Sequence, residues 1–239
     1  MEREYFLLIV IFLIIQFQSG IEGNFFETIY ENPFDPLERN AVKLENYKWP
    51  NGKISYTFTK DYSDSDRNQV LSAMEIIHKE TCVRFIPYAG QNDTYIEFIK
   101  AQGCGSQVGY RPNQDLPLQV AYNDYCLGIR GAIQHELLHV TGLFHEQCRP
   151  DRDNYIKVIW DNIQPQFRRN FIKGPDNYVT TFGLDYDYKS LMHYPRNAFS
   201  KRSTLLTMIA LNDTEMELGQ SDGPTFLDLE KVRRMYKCA

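Results

Sequence analysis

Apolar and polar residues alternate from Ile54 to Thr59, the pattern of a half-buried strand. Ser63 and Ser65 are both plausible helix caps, and beyond them Val70, Leu71, Met74 and Ile77 fall on one helical face. Val83–Pro87, Tyr95–Lys100 and Leu118–Tyr122 read as three further strands, the second alternating around Ile96 and Phe98. Ile129 to Leu143 reads as a second helix. From there to Pro224 the chain is loop-rich, with little periodicity of either kind. Phe226, Leu229, Val232 and Met235 then return to helical spacing and predict a closing amphipathic helix. Strands with helices first, an irregular second half and one terminal helix together predict an α+β fold.

Composition narrows the class without changing this picture. The chain has 239 residues, room for one large domain or two small ones, with 43% apolar and 24% charged residues. These are ordinary globular values and exclude collagen-like, coiled-coil and long disordered readings. The net charge is −5 and there is no Lys/Arg-rich run, so no nucleic-acid partner is expected. Phe6 to Ile15 is an apolar run too short to span a bilayer but suited to a secretory signal, with small residues at Ser19, Gly20 and Gly23 behind it. We read 1–20 as a signal peptide and the product as secreted and extracellular. A signal anchor is the alternative, because Glu2 and Glu4 offset Arg3. Residues 24–39 are polar and Pro-containing. A secreted chain permits disulfides among Cys82, Cys104, Cys126, Cys148 and Cys238, but five is odd, so one thiol is left over. It also gives meaning to two glycosylation sequons, at Asn92 and Asn212.

The chemistry is concentrated in His135-Glu136-Leu137-Leu138-His139-Val140-Thr141-Gly142-Leu143-Phe144-His145. On a helix, positions i and i+4 share a face, so His135 and His139 can point two imidazoles at one ion. Glu136 sits one step round, within reach of a water on that ion. Gly142 lets the backbone leave the helix sharply, at positive φ, so that His145 can return to the same ion. Three imidazoles leave a coordination position open, as a catalytic zinc site requires. A lone histidine is ordinarily a surface or packing residue. Here three of the five histidines fall at ligand spacing within one short run. Zinc suits imidazole and hydrolysis needs no redox, although spacing alone does not exclude another divalent metal.

That run resembles the zinc signature of metzincins. Its continuation, Glu146-Gln147-Cys148-Arg149-Pro150-Asp151-Arg152-Asp153, closely matches the extension in astacin metallopeptidases. Tyr188-Lys189-Ser190-Leu191-Met192-His193-Tyr194 resembles their Met-turn. Arg39-Asn40-Ala41 with Trp49-Pro50-Asn51-Gly52 resembles the start of their catalytic domain. The resemblance covers 40–239. It implies a metzincin-type catalytic domain of two subdomains: a twisted, mostly parallel sheet with helices above the cleft, then an irregular lower half with a C-terminal helix.

It also implies roles. His135, His139 and His145 would hold one Zn2+, and Glu136 would be the general base acting on a zinc-activated water. Met192 would be an apolar floor, and Tyr194 would contact zinc at rest and support the oxyanion. His193 would be structural. Cys82–Cys238 and Cys104–Cys126 would be disulfides, leaving Cys148, where relatives more often carry a small residue. A buried structural thiol is the preferred reading there, with a fourth metal ligand or a regulatory thiol left open. Arg149, Asp151 and Asp153 would orient the ligand loop or simply decorate a turn. Leu118–Tyr122 would stand where the family's edge strand binds extended substrate. Residues 21–39 would be a short propeptide, removed after Arg39 by an activating protease to expose Asn40, whose new terminus would lie near Glu146. Asp35, in Phe34-Asp35-Pro36, is the candidate latency residue, although the family's usual Phe-x-Gly-Asp is missing. The expected molecule is a monomer without membrane attachment after signal removal, ending without an appended domain and cutting proteins or peptides. The rival reading is a catalytically silent secreted binding module on the same fold.

Overall fold

A computed structural model describes residues 41–42, 45–90, 94–111, 117–175 and 179–239. In chain order the strands are β1 (Ala41–Val42), β2 (Lys53–Phe58), β3 (Arg84–Pro87), β4 (Ile96–Lys100), β5 (Cys104–Ser106), β6 (Leu118–Tyr122), β7 (Ile156–Val158), β8 (Val179–Thr180) and β9 (Met208–Ala210). The helices are α1 (Asp64–Glu80), α2 (Asp124–Leu127), α3 (Arg130–Thr141) and α4 (Phe226–Tyr236).

The main sheet has the order β3-β2-β4-β6-β5. Its first four strands are mutually parallel, and β5 runs antiparallel along β6. α1 makes the crossover from β2 to β3. Ser63, not Ser65, caps it: its hydroxyl accepts from the Asp66 amide while the Asp66 carboxylate accepts from the Ser63 amide. The predicted face, Val70, Met74 and Ile77 with Ala73, is buried. It joins Ile54, Phe98, Val120 and Leu137 in the principal core.

α3 packs against α1 and is buried from Gly131 to Thr141. A helix enclosed on all sides carries no amphipathic signature, so its polar residues, His135, Glu136 and His139, stand out by content rather than by period. It ends where expected. Gly142 adopts φ 114°, and the amides of Gly142 and Leu143 return to the His139 and Leu138 carbonyls.

One sequence expectation needs correction. Leu118–Tyr122 is not an edge strand, because it lies between β4 and β5. Four of its five residues are buried, as an interior strand requires. The edge on that side is β5, a three-residue strand with Gly105 at its centre, too short to carry an alternation. The sheet, the helices above it and the closing helix follow the expected α+β plan.

The second half is made of 3-10 turns and the short ribbons β7–β9 and β1–β8. It has a core of its own around Ile163, Phe171, Tyr194 and Met208. α4 then crosses back. Thr225 and Asp228 form a capping box at its start. The Tyr236 hydroxyl donates to the Thr141 carbonyl at 2.8 Å, and Cys238 is joined to Cys82. The second disulfide, Cys104–Cys126, ties β5 to α2.

Candidate metal centre and active site

α3 delivers the first two imidazoles and the loop after Gly142 delivers the third. The His145 Nε2 lies 3.3 Å from Nε2 of His135 and 3.3 Å from Nε2 of His139. Both α3 rings are oriented from behind. The His135 Nδ1–H donates to the Leu191 carbonyl at 2.9 Å, and the His139 Nδ1–H donates to the Leu143 carbonyl at 2.6 Å. A carbonyl only accepts, so each ring carries its proton on Nδ1 and turns the Nε2 lone pair inward. Lone pairs converging this closely repel unless a cation lies between them. Two nitrogens bound to one tetrahedral zinc at about 2.0–2.1 Å stand about 3.3 Å apart, so the donor set fits that ion. The three are the candidate metal cluster among the described residues, and all are buried.

Glu136 is buried on the same helix turn. Ser106 on β5 places its hydroxyl 2.9 Å from Glu136 Oε2. Below the site, residues 190–194 form a tight turn. The Met192 carbonyl accepts from the Glu146 amide at 2.8 Å, and the Tyr194 amide donates to Gln147 Oε1 at 3.1 Å. The Tyr194 ring lies 4.3 Å, centre to centre, from the His145 ring. His193 turns away from the histidine cluster. Its Nδ1–H donates to the Tyr194 carbonyl at 2.7 Å and its Nε2 accepts from the Tyr186 hydroxyl at 2.8 Å. Burial holds this imidazole neutral, with its pKa down at about 4.

Glu146 is a fully buried carboxylate. Its Oε1 accepts from Arg149 Nη1 at 3.1 Å and from the Asp187 amide at 3.0 Å, and its Oε2 accepts from Lys231 Nζ of α4. Burial pushes its pKa up, but the Lys231 and Arg149 charges more than offset that and keep it ionised. Arg149 also donates to the Leu184 and Asp185 carbonyls and to Asp151, so these two residues do brace the ligand loop. Asp153 pairs instead with Arg152 and Lys173 at the surface. Cys148 stands outside the metal cluster, buried, with its thiol donating to the Asn170 carbonyl at 3.2 Å. Asn212 is exposed. Asp35, Asn40 and Asn92 lie outside the described residues.

Four contributors escaped sequence reasoning: Ser106, Gln147, Asp228 and Lys231. Only Asp228 had a local signal, as the third residue after Thr225 in a capping box. It also accepts from the Leu191 amide at 2.9 Å and from the Ser190 hydroxyl, so the cap of α4 holds the turn that orients His135.

The sequence family described as Astacin, a peptidase family, matches residues 41–237. The chain belongs to the astacin family. Among curated astacin relatives, it is 37% identical over 202 residues to zinc metalloproteinase nas-13 of Caenorhabditis elegans, covering 84% of this chain and 44% of that protein. It is 36% identical over 210 residues to the astacin-like metalloendopeptidase of Mus musculus, covering 85% and 46%. The chain thus spans less than half the length of these relatives. Among solved structures, the fold matches high choriolytic enzyme 1, a hatching-enzyme zinc-protease from Oryzias latipes. The TM-score is 0.76 and the identity 30%, over 84% of this chain and all of that one. Among the described residues no helix is long and apolar enough to cross a membrane.

Proposed function

We propose that this astacin-family chain is a secreted zinc-dependent endopeptidase acting on extended protein or peptide substrates. The observation that carries the reading is the convergence of three inward-facing imidazole nitrogens beside the buried carboxylate of Glu136. Zinc, when bound, polarises the scissile carbonyl and acidifies water to a pKa of about 7. Glu136 takes the proton of the attacking water and returns it to the leaving amine as the C–N bond breaks. The Tyr194 hydroxyl donates a hydrogen bond to the developing oxyanion. Met192 supplies an apolar floor, and its carbonyl bond to the Glu146 amide keeps the ligand loop and floor in register. The open side of β5 offers backbone groups to an extended substrate.

The processing scheme belongs to the same proposal. Residues 1–20 are a signal peptide and 21–39 a propeptide in which Asp35 enforces latency. Cleavage after Arg39 by an activating protease frees Asn40, next to β1, to settle towards Glu146. The active form is extracellular and monomeric, begins at Asn40 and is glycosylated at Asn92 and Asn212, with Cys148 a structural thiol.

The test is digestion of denatured casein by protein activated with trypsin and repurified, wild type beside Glu136→Ala, each with and without a zinc chelator. Activity in the untreated wild type alone is the expected result. A wild type that folds and binds zinc yet cuts nothing overturns the reading in favour of a silent binding module. Full activity in Glu136→Ala removes Glu136 as the base.

A further inference from the structure

Ser106 reaches Glu136 from a different element. It ends β5, the antiparallel edge of the sheet, and is half-buried beneath the rim where β5 meets α3. Its Oγ lies 2.9 Å from Glu136 Oε2 and 3.1 Å from the Glu136 backbone carbonyl. A hydroxyl has one proton, so it serves one of these acceptors at a time. The carboxylate is the stronger acceptor, since a charge-assisted bond is roughly twice as strong as a neutral one, and it is also the nearer of the two.

We infer that Ser106 is a positioning residue for Glu136, holding Oε2 so that Oε1 faces the reacting water and tying that orientation to the substrate-binding edge strand. The inference rests on Glu136 being the base. In the catalytic cycle Oε1 takes the proton from water and later passes it to the amine, while Oε2 stays on the hydroxyl. β5 is fixed at both ends of its three residues. Cys104 is held by the disulfide to Cys126 and Ser106 pairs with Val120 of β6. A substrate strand laid along β5 and the carboxylate beneath it are then referred to the same backbone.

The test compares Ser106→Ala and Ser106→Thr with wild type in the full activated protein, reading kcat and KM on a fluorogenic peptide, zinc content and melting temperature. Ser106→Ala is expected to keep its zinc and lower kcat about ten- to a hundredfold, the rate equivalent of one hydrogen bond to a charged group. Its KM should change less than about twofold, because ground-state binding is untouched. Ser106→Thr, which restores the hydroxyl, should recover most of the loss. Crystal structures of the zinc-free proteins supply a readout independent of turnover. Glu136 should hold one side-chain conformer in wild type and Ser106→Thr, and two or more in Ser106→Ala. An unchanged kcat in Ser106→Ala overturns the inference, as does a Thr variant no better than Ala or an equally ordered Glu136 in all three. If wild type cuts nothing, the endopeptidase reading fails separately, and the Glu136 conformers still decide whether Ser106 positions it.

Discussion

A histidine next to Tyr194 is kept neutral by its surroundings, and that has a consequence in acid. His193 has its pKa lowered to about 4 by burial, against about 6.5 in an unfolded chain. Above pH 7 both states are neutral and the group contributes nothing to pH dependence. Between about 6.5 and 4 the unfolded chain binds the proton and the native state does not, so stability falls as pH falls, by on the order of 3 kcal/mol in all. Urea unfolding at stepped pH should show a steeper loss for wild type than for His193→Gln. Both proteins keep the ligand histidines, so their difference isolates this residue. Tyr194→Phe belongs to the same scale. It should retain zinc and lower kcat about a hundred- to a thousandfold, the usual cost of one oxyanion donor, in a peptide assay. At this scale the sequence was legible where chemistry is local. His135, Glu136, His139 and His145 announce themselves by spacing, and Gly142 by the bend it must make. Ser106, Gln147 and Lys231 did not, because each acts on a residue 30, 47 or 85 positions away.

The element that most deserves perturbation is α4. Its capping carboxylate, Asp228, holds the Thr225, Ser190 and Leu191 groups, and the Leu191 carbonyl in turn orients the His135 ring. Asp228→Ala should destabilise the fold by about 2–4 kcal/mol, a cap together with buried hydrogen bonds. It should also weaken zinc binding about ten- to a hundredfold, as loss of an outer support does. Competition with a chromophoric chelator measures the second effect, and wild-type affinity in the variant would refute this chain of contacts. The periodic elements α1, β2, β3, β4 and α4 were readable because each buries one face. β5 was not, since three residues centred on a glycine carry no period. The turns between 142 and 225 were also unreadable as elements, because their backbone is held by distant partners such as Arg149 and Arg196 rather than by local propensity.

For the whole molecule, the Cys82–Cys238 bridge closes a loop of 156 positions and joins the end of α1 to the end of α4. In the chain-entropy model such a loop contributes about 5 kcal/mol. The Cys82→Ser, Cys238→Ser double variant should therefore lose about 3–5 kcal/mol in urea unfolding while still binding zinc when folded. A variant as stable as wild type would mean that α4 is held by its noncovalent contacts alone. At this scale the resemblance supplied the architecture and the sequence pattern supplied its parts, but neither gave the strand order. Leu118–Tyr122 was expected at an edge and lies inside the sheet, while Cys104–Ser106, for which no strand was predicted, takes that edge, because adjacency in a sheet is decided by pairing across the chain. The unbroken apolar run Val120-Ala121-Tyr122 was the available hint.

The hold of α4 on the Met192 turn and the ligand loop also sets an order of events during synthesis. A ribosome delivers the three imidazoles and Glu136 some eighty residues before it delivers Asp228 and Lys231. A chain interrupted in that interval owns every metal donor yet lacks the groups that fix the floor beneath them. The donors of the ion precede the groups that organise the cleft, and α4, emerging later, works as the latch that completes the site.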